Sequence, residues 1–336
     1  MFDLAKSTPP PRKDYASCSG CGLCLLVCPV WRNKHDFGLT PLGRAKALQH
    51  GAVAADIAAS IQSCTLCGAC EPACPEDIGL VEMTLNLRRQ LAQPAAGQSL
   101  RARMDEQAAR PLAPRPSSSA VLLPGLVLRE RPATLARAAA LLGGMGNIPI
   151  ADDDGSDIAL ALEAGAAIPA QRLERFLRPL RGLKKIIVAD GLLLRHLQQW
   201  LPQSKITSVG EALSRLAAVR RALRPGDLYV IEPRAYHADY QRLVKYYDAL
   251  RADCGCALNL DMQRIAIPAT ARNLPQRLGL ESAVETMDDK VQARWILQGR
   301  KITRIVVESM KDGAAFEQVS AYPVVHLADL ADDGTS

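Results

Sequence analysis

The chain has 336 residues, 48% of them hydrophobic and 23% charged, with a formal net charge of +6, enough to bury a substantial core in two or three domains. Four Phe and three Trp beside abundant Ala, Leu and Arg favour helices and α/β units over an all-β sandwich. Dispersed Arg and Lys exclude a nucleic-acid footprint, no run reaches the ~20 apolar residues of a membrane span, and M-F-D-L-A-K-S-T-P-P carries no signal-peptide core, so a cytoplasmic protein is expected.

In that compartment thiols stay reduced. Eight of the ten cysteines fall in two short stretches, C-S-G-C-G-L-C-L-L-V-C-P from Cys18 to Pro29 and C-T-L-C-G-A-C-E-P-A-C-P from Cys64 to Pro75. They read as metal ligands and not as a disulfide framework. Between them lie T-P-L-G-R-A-K-A-L-Q-H-G and the helical A-A-D-I-A-A-S-I-Q-S, room for two helices. Residues 1–90 are therefore expected to form one cysteine-bearing domain.

Residues 91–119 end in R-P-L-A-P-R-P-S-S-S, which reads as a linker or an exposed crossing strap. After it, short apolar runs at 120–125, 185–190, 205–209, 227–233, 304–309 and 323–327 alternate with helical patterns. Among these are 132–143 and 240–251, where Tyr240, Leu243, Val244, Tyr247 and Leu250 share a face. This rhythm predicts mainly parallel sheets covered by helices. The order of elements repeats, which predicts two α/β modules, at 120–225 and 226–336.

Both cysteine stretches follow C-x2-C-x2-C-x3-C-P. In that spacing three thiolates from one tight loop reach three corners of a 4Fe-4S cluster and the fourth serves the other cluster. Cys18, Cys21, Cys24 and Cys74 are thus expected to hold one cluster, and Cys64, Cys67, Cys70 and Cys28 a second. Gly20, Gly22 and Gly68 let the backbone turn its N–H groups towards sulfur, while Pro29 and Pro75 keep the fourth cysteine extended. Structural zinc, which takes four ligands as two pairs, leaves the third cysteine and the Cys-Pro ending without a role.

With Pro41, Gly43 and Arg44 placed between the motifs, residues 1–90 resemble the α-helical ferredoxin domain of succinate dehydrogenase iron-sulfur subunits, heterodisulfide reductase and glycolate oxidase. The whole chain resembles the heterodisulfide reductase-like and glycolate oxidase type of iron-sulfur subunit, in which two Cys-Cys-Gly modules follow. The fold this implies is an α-helical ferredoxin domain followed by two α/β modules with mainly parallel sheets. The modules here are degenerate. A-D-D-D-G-S-D (151–157), A-D-G-L-L-L-R-H (189–196), P-R-A-Y-H-A-D-Y (233–240) and I-A-I-P-A-T-A (265–271) stand where the family carries its cysteine, His and Cys-Cys-Gly positions.

The resemblance implies an electron-transfer subunit of a multi-subunit oxidoreductase with no substrate site of its own. It would pass single electrons between a flavoprotein or dehydrogenase subunit and an acceptor subunit, with the modules as docking scaffold. It leaves room for a peripheral link to the inner membrane or to a quinone through a partner. A thiol-disulfide reductase subunit and a non-redox cluster-containing scaffold are the alternatives.

The remaining candidates have plainer readings. Cys254 and Cys256 in D-C-G-C-A-L lack a third ligand nearby and read as small buried residues. Asp152, Asp153 and Asp154 lack EF-hand spacing and read as a solvated turn. His237 reads as polar packing at a helix start rather than a proton carrier, and L-L-G-G-M-G-N (141–147) follows a helix, where glycines cap and turn. Arg12, Lys13, Arg32, Lys34, Arg44 and Lys46 flank the cysteine domain, either solvated or steering an acidic partner.

Overall fold

The computed structural model describes residues 12–91, 94–111, 118–144, 146–280 and 284–334. The cysteine-bearing region is built from short helices. Pro41–Gln49 starts where Thr40 caps it, its hydroxyl accepting from the Gly43 N–H at 3.2 Å, and where Pro41 takes the first helical position with its fixed φ. A Cβ on Gly43 would stand 2.3 Å from the Phe37 carbonyl, so only glycine lets the two backbones approach. Ala58–Ser63 and Leu80–Gln90 follow; the latter buries Leu80, Val81, Met83, Leu85 and Leu87 on one face. The two helices anticipated between the cysteine motifs are Pro41–Gln49 and Ala58–Ser63.

The rest of the described chain is two α/β units. In the first, β1 (Ala120–Leu123), β2 (Lys185–Val188) and β3 (Lys205–Ser208) pair in parallel in the order β1-β2-β3, and the segment at Ile150 bridges Leu122 in parallel on the outer side of β1. In the second, β4 (Asp227–Val230), β5 (Ala257–Leu258), β6 (Arg304–Val307) and β7 (Val324–His326) lie in the order β5-β4-β6-β7, also in parallel. Ile150 stands to β1 as β5 stands to β4, so the two units repeat one topology. Strands such as K-I-I-V and R-I-V-V are buried almost throughout, as parallel sheets covered on both faces require. The units meet at Gly191, where a Cβ would lie 2.4 Å from the Ala235 nitrogen, so the helices Gly191–Trp200 and Pro233–Ala238 pack backbone to backbone.

Three expectations are corrected. Within the stretch read as a strap, Pro94–Ala109 is a helix that buries Leu100 and Met104; the Pro-rich residues 112–117 lie outside the described residues. Of Asp152–Asp154 only Asp152 is exposed as a solvated turn requires: Asp153, with Asp157, binds the buried Arg172 at 2.8 and 2.7 Å, and the buried Asp154 pairs with Arg129 at 2.5 Å. β5 was absent from the predicted strands because two residues carry no alternating pattern. Of the glycine turn at 141–147, Gly144 caps Pro132–Gly143 with φ 69°, and Met145 lies outside the described residues. No helix among the described residues is long and apolar enough to cross a membrane.

Candidate iron-sulfur site

The two cysteine loops share one backbone path. Gly20 and Gly22 have φ of 84° and 78°, and the equivalent positions of the second loop, Leu66 and Gly68, have 54° and 77°. A leucine in this left-handed region costs about 1–2 kcal/mol. The sequence flagged the three glycines and missed Leu66, although its position two residues after Cys64 marks it.

The loops bring their thiols together across the motifs. Cys24 is pushed up to about 11 by burial and by Cys18, Cys74 and Cys21. Cys28 is pushed up to about 12, chiefly by burial, with Cys67 and Cys64 adding to it and the Trp31 N–H opposing. Cys70 is raised well above an ordinary thiol by burial, then by Cys67 and Cys64, and by Cys28 among the weaker causes. The neighbours of Cys24 and of Cys28 thus each include a cysteine from the other motif. Burial also raises Cys67, against the Ala69 N–H and the Thr65 hydroxyl. Cys64 differs: burial acts upward on it, but the guanidinium groups of Arg44 and Arg88 outweigh burial and hold it below its ordinary value.

This donor set suits a cluster better than a single ion, because each loop carries a third cysteine and a Cys-Pro ending beyond the two pairs of ligands that a zinc takes. All ten cysteines are free thiols. Mutually repelling, buried thiols lose their protons most readily to a metal centre that supplies compensating positive charge.

Side chains from distant elements hold the second loop by its carbonyls. Arg88 donates to the carbonyls of Cys64 at 2.5 Å and Glu163 at 2.6 Å, and Arg234 donates to that of Thr65 at 2.6 Å. His237 completes the clamp. Its Nε2 accepts from the Ala266 N–H at 3.2 Å, so Nδ1 carries the proton and donates to the Cys67 carbonyl at 2.7 Å. Burial pushes its pKa down to about 4, so it stays neutral. Glu163 ties the arrangement together, accepting from Arg234 at 3.0 Å and Arg277 at 2.7 Å; burial opposes its charge, but these cations hold its carboxyl far below the ordinary range. Glu71, buried just after Cys70, pairs with Arg12 at 2.9 Å and with Arg195, and accepts from the Val81 N–H.

The sequence singled out His237 but none of Arg88, Arg234, Glu163 or Glu71. The helical period would have found Arg88, which lies on the same buried face as Val81 and Leu85. The reading of the six flanking cations is corrected in part: Arg12 and Lys13 are exposed, and the other four are half-buried or buried. Arg44 is 1% exposed and donates to the Ser60 carbonyl at 2.8 Å, and Lys46 donates to the Cys18 carbonyl at 2.9 Å. Arg32 lies over the Trp295 ring at 3.7 Å, Lys34 and Lys13 pair with Glu285 and Glu76, and Arg12 binds Glu71.

A cleft partly open to solvent lies between the α/β units. Pro124, Asp190, Glu232 and Glu308, which follow β1, β2, β4 and β6, line it together with Cys67. In each sheet these strands flank the point where the order reverses, the place where parallel α/β sheets bind ligands. Cys254 and Cys256 lie elsewhere: Cys256 packs in the main core, its thiol pushed up to about 12 by burial, and Cys254 donates to the Arg220 carbonyl at 3.7 Å.

Residues 14–78 match the 4Fe-4S dicluster domain family. No curated protein and no solved structure matches the chain.

Proposed function

We propose that this iron-sulfur protein relays single electrons through two 4Fe-4S clusters, one held by Cys18, Cys21, Cys24 and Cys74, the other by Cys64, Cys67, Cys70 and Cys28. The observation that carries this reading is the grouping of the thiols, in which Cys24 feels Cys74 and Cys28 feels Cys67 and Cys64. When bound, such clusters supply reversible one-electron chemistry whose potential follows hydrogen bonds to sulfur, burial and nearby charge.

The chain's own residues set those terms differently at the two loops. Cys21 is exposed, and Leu23 and Leu26 beside it are 38% and 62% exposed, an apolar rim suited to a flavoprotein or dehydrogenase partner. At the second loop Thr65, Leu66, Cys67, Gly68 and Ala69 are all buried, which excludes water. Arg44 and Arg88 there favour added negative charge, and the His237 clamp holds the loop backbone fixed. The surface loop is thus the entry or exit for electrons exchanged with a partner, and the interior loop lies at the module cleft. Membership of the heterodisulfide reductase-like and glycolate oxidase type agrees with the repeated α/β topology. Potentiometric titration of anaerobically prepared protein, followed by electron paramagnetic resonance, tests the relay: two one-electron reductions support it, and one or none rejects it.

A further inference from the structure

The sequence predicted α/β units with no substrate site, yet the cleft between them carries polar groups that the fold does not use. Four helices begin at its wall, directly after β1, β2, β4 and β6. Asp190 caps Gly191–Trp200, accepting from the Leu192 and Leu193 N–H groups, and Glu232 caps Pro233–Ala238 through the Arg234 and Ala235 N–H groups. The eight-residue helix Met310–Glu317 has no such cap: Ser309 makes no side-chain bond to it. The Asp312 N–H turns back to the Ser309 carbonyl at 3.0 Å, which leaves the Met310 and Lys311 N–H groups and the positive end of the dipole at a cavity lined by Ser309, Met310, Lys311 and Asp312.

Two side chains of that first turn are also unused. Asp312 is 5% exposed, and among the described residues no hydrogen bond or ion pair engages its carboxyl. Its oxygens open onto the cavity, where a ligand can reach them. Burial, then Glu232, pushes its pKa up to about 8, so at neutral pH it is mostly an uncharged donor. Lys311 is exposed at the helix start and, among the described residues, has no ion pair or hydrogen bond. Arg277 spends its Nε on Glu163 at 2.7 Å, and no other bond from the described residues engages its guanidinium.

We propose that the cleft between the α/β units binds a small organic anion, a carboxylate or a phosphate ester, with its negative end on Lys311, Arg277 and the uncapped N-terminus of Met310–Glu317. A neutral polar end of the same molecule meets the Asp312 carboxyl. The Lys311 ammonium and the Arg277 guanidinium are the two side chains best shaped to hold an oxyanion beside a helix start. Because Cys67 shares the cavity wall, the anion lies against the interior cysteine loop. The site stands on cavity residues alone and does not depend on the relay.

The test is calorimetric titration of the full chain, purified anaerobically, with inorganic phosphate in one arm and with acetate, malonate and succinate in the other. Saturable one-site binding in the first arm identifies phosphate as the recognised group, and in the second a carboxylate. In either case Lys311→Gln weakens binding at least about tenfold, a change of ~1.4 kcal/mol. Lys290→Gln, outside the cavity, leaves it unchanged. Lys311 makes no bond that the fold needs, so the variant keeps the wild-type melting temperature without ligand. The bound anion also raises that temperature in the wild type and not in the variant. No saturable binding in either arm, or equal binding by Lys311→Gln and wild type, overturns the proposal.

Discussion

The two cysteine loops have the same spacing and the same left-handed turns, yet opposite surroundings. Between Cys18 and Cys24 no residue is buried; between Thr65 and Ala69 every residue is. The first loop is supported from one side, by Lys46 and Gln49 reaching the Cys18 carbonyl. The second is gripped by Arg88, Arg234 and His237, which come from the helical domain and from the second α/β unit. Local spacing thus fixes the shape of a loop, while its solvation and electrostatics come from residues that are remote in the chain. An electron carrier gains from that division, because one end must meet a partner and the other must keep water out.

The comparison breaks most severely at Glu163. Replacing it by Gln removes the charge that balances Arg234 and Arg277 beneath the second loop, and the expected loss is about 3–5 kcal/mol in denaturant unfolding. The pH dependence follows in sign. The folded carboxyl lies far below its ordinary value, so its contribution is full above the unfolded pKa near 4.5 and is lost as the pH falls towards the folded one. Wild-type stability should therefore drop on acidification more steeply than that of Glu163→Gln.

A matched pair of substitutions gives the next effect. Gly22 and Gly68 occupy equivalent positions with positive φ, but an added Cβ meets only Leu25 Cδ1 at 4.0 Å in the first loop and the His237 Cβ at 3.0 Å in the second. Gly22→Ala should cost about 1–2 kcal/mol, the price of the left-handed backbone. Gly68→Ala should cost roughly 1–3 kcal/mol more, from the added overpacking. Equal losses in thermal unfolding would mean that the two loops are held alike.

Iron release sharpens the contrast without mutation. Challenged with a chelator in the absence of oxygen, the protein should lose about half its iron in a fast phase from the exposed loop and the rest slowly, since local opening of the buried loop must break its clamp. A single phase would contradict the difference in burial. Cys254→Ser, remote from both loops, is the smallest effect, within about 0.5 kcal/mol and without change in either phase.

Much of this was legible in the sequence. The spacing located both loops, and apolar runs marked every strand of three or more residues, because β1 to β4, β6 and β7 are short, continuous and flanked by turns. The helix Pro94–Ala109 was not legible, since from Gln98 onwards it buries just two apolar residues, Leu100 and Met104, and the Pro-rich segment beside it dominates the local pattern. Neither was the clamp, whose partners are separated by 24 to 170 residues. The cleft is built from the ends of four strands and the second cysteine loop, and no local pattern reports such a convergence.

The central claim is that each cluster draws its fourth ligand from the opposite motif. Electron paramagnetic resonance of anaerobically reduced Cys74→Ser, set beside Cys18→Ser and Cys64→Ser, tests it most directly. If the account holds, Cys74→Ser alters the signal that Cys18→Ser alters and spares the signal that Cys64→Ser alters; the reverse pattern would contradict it.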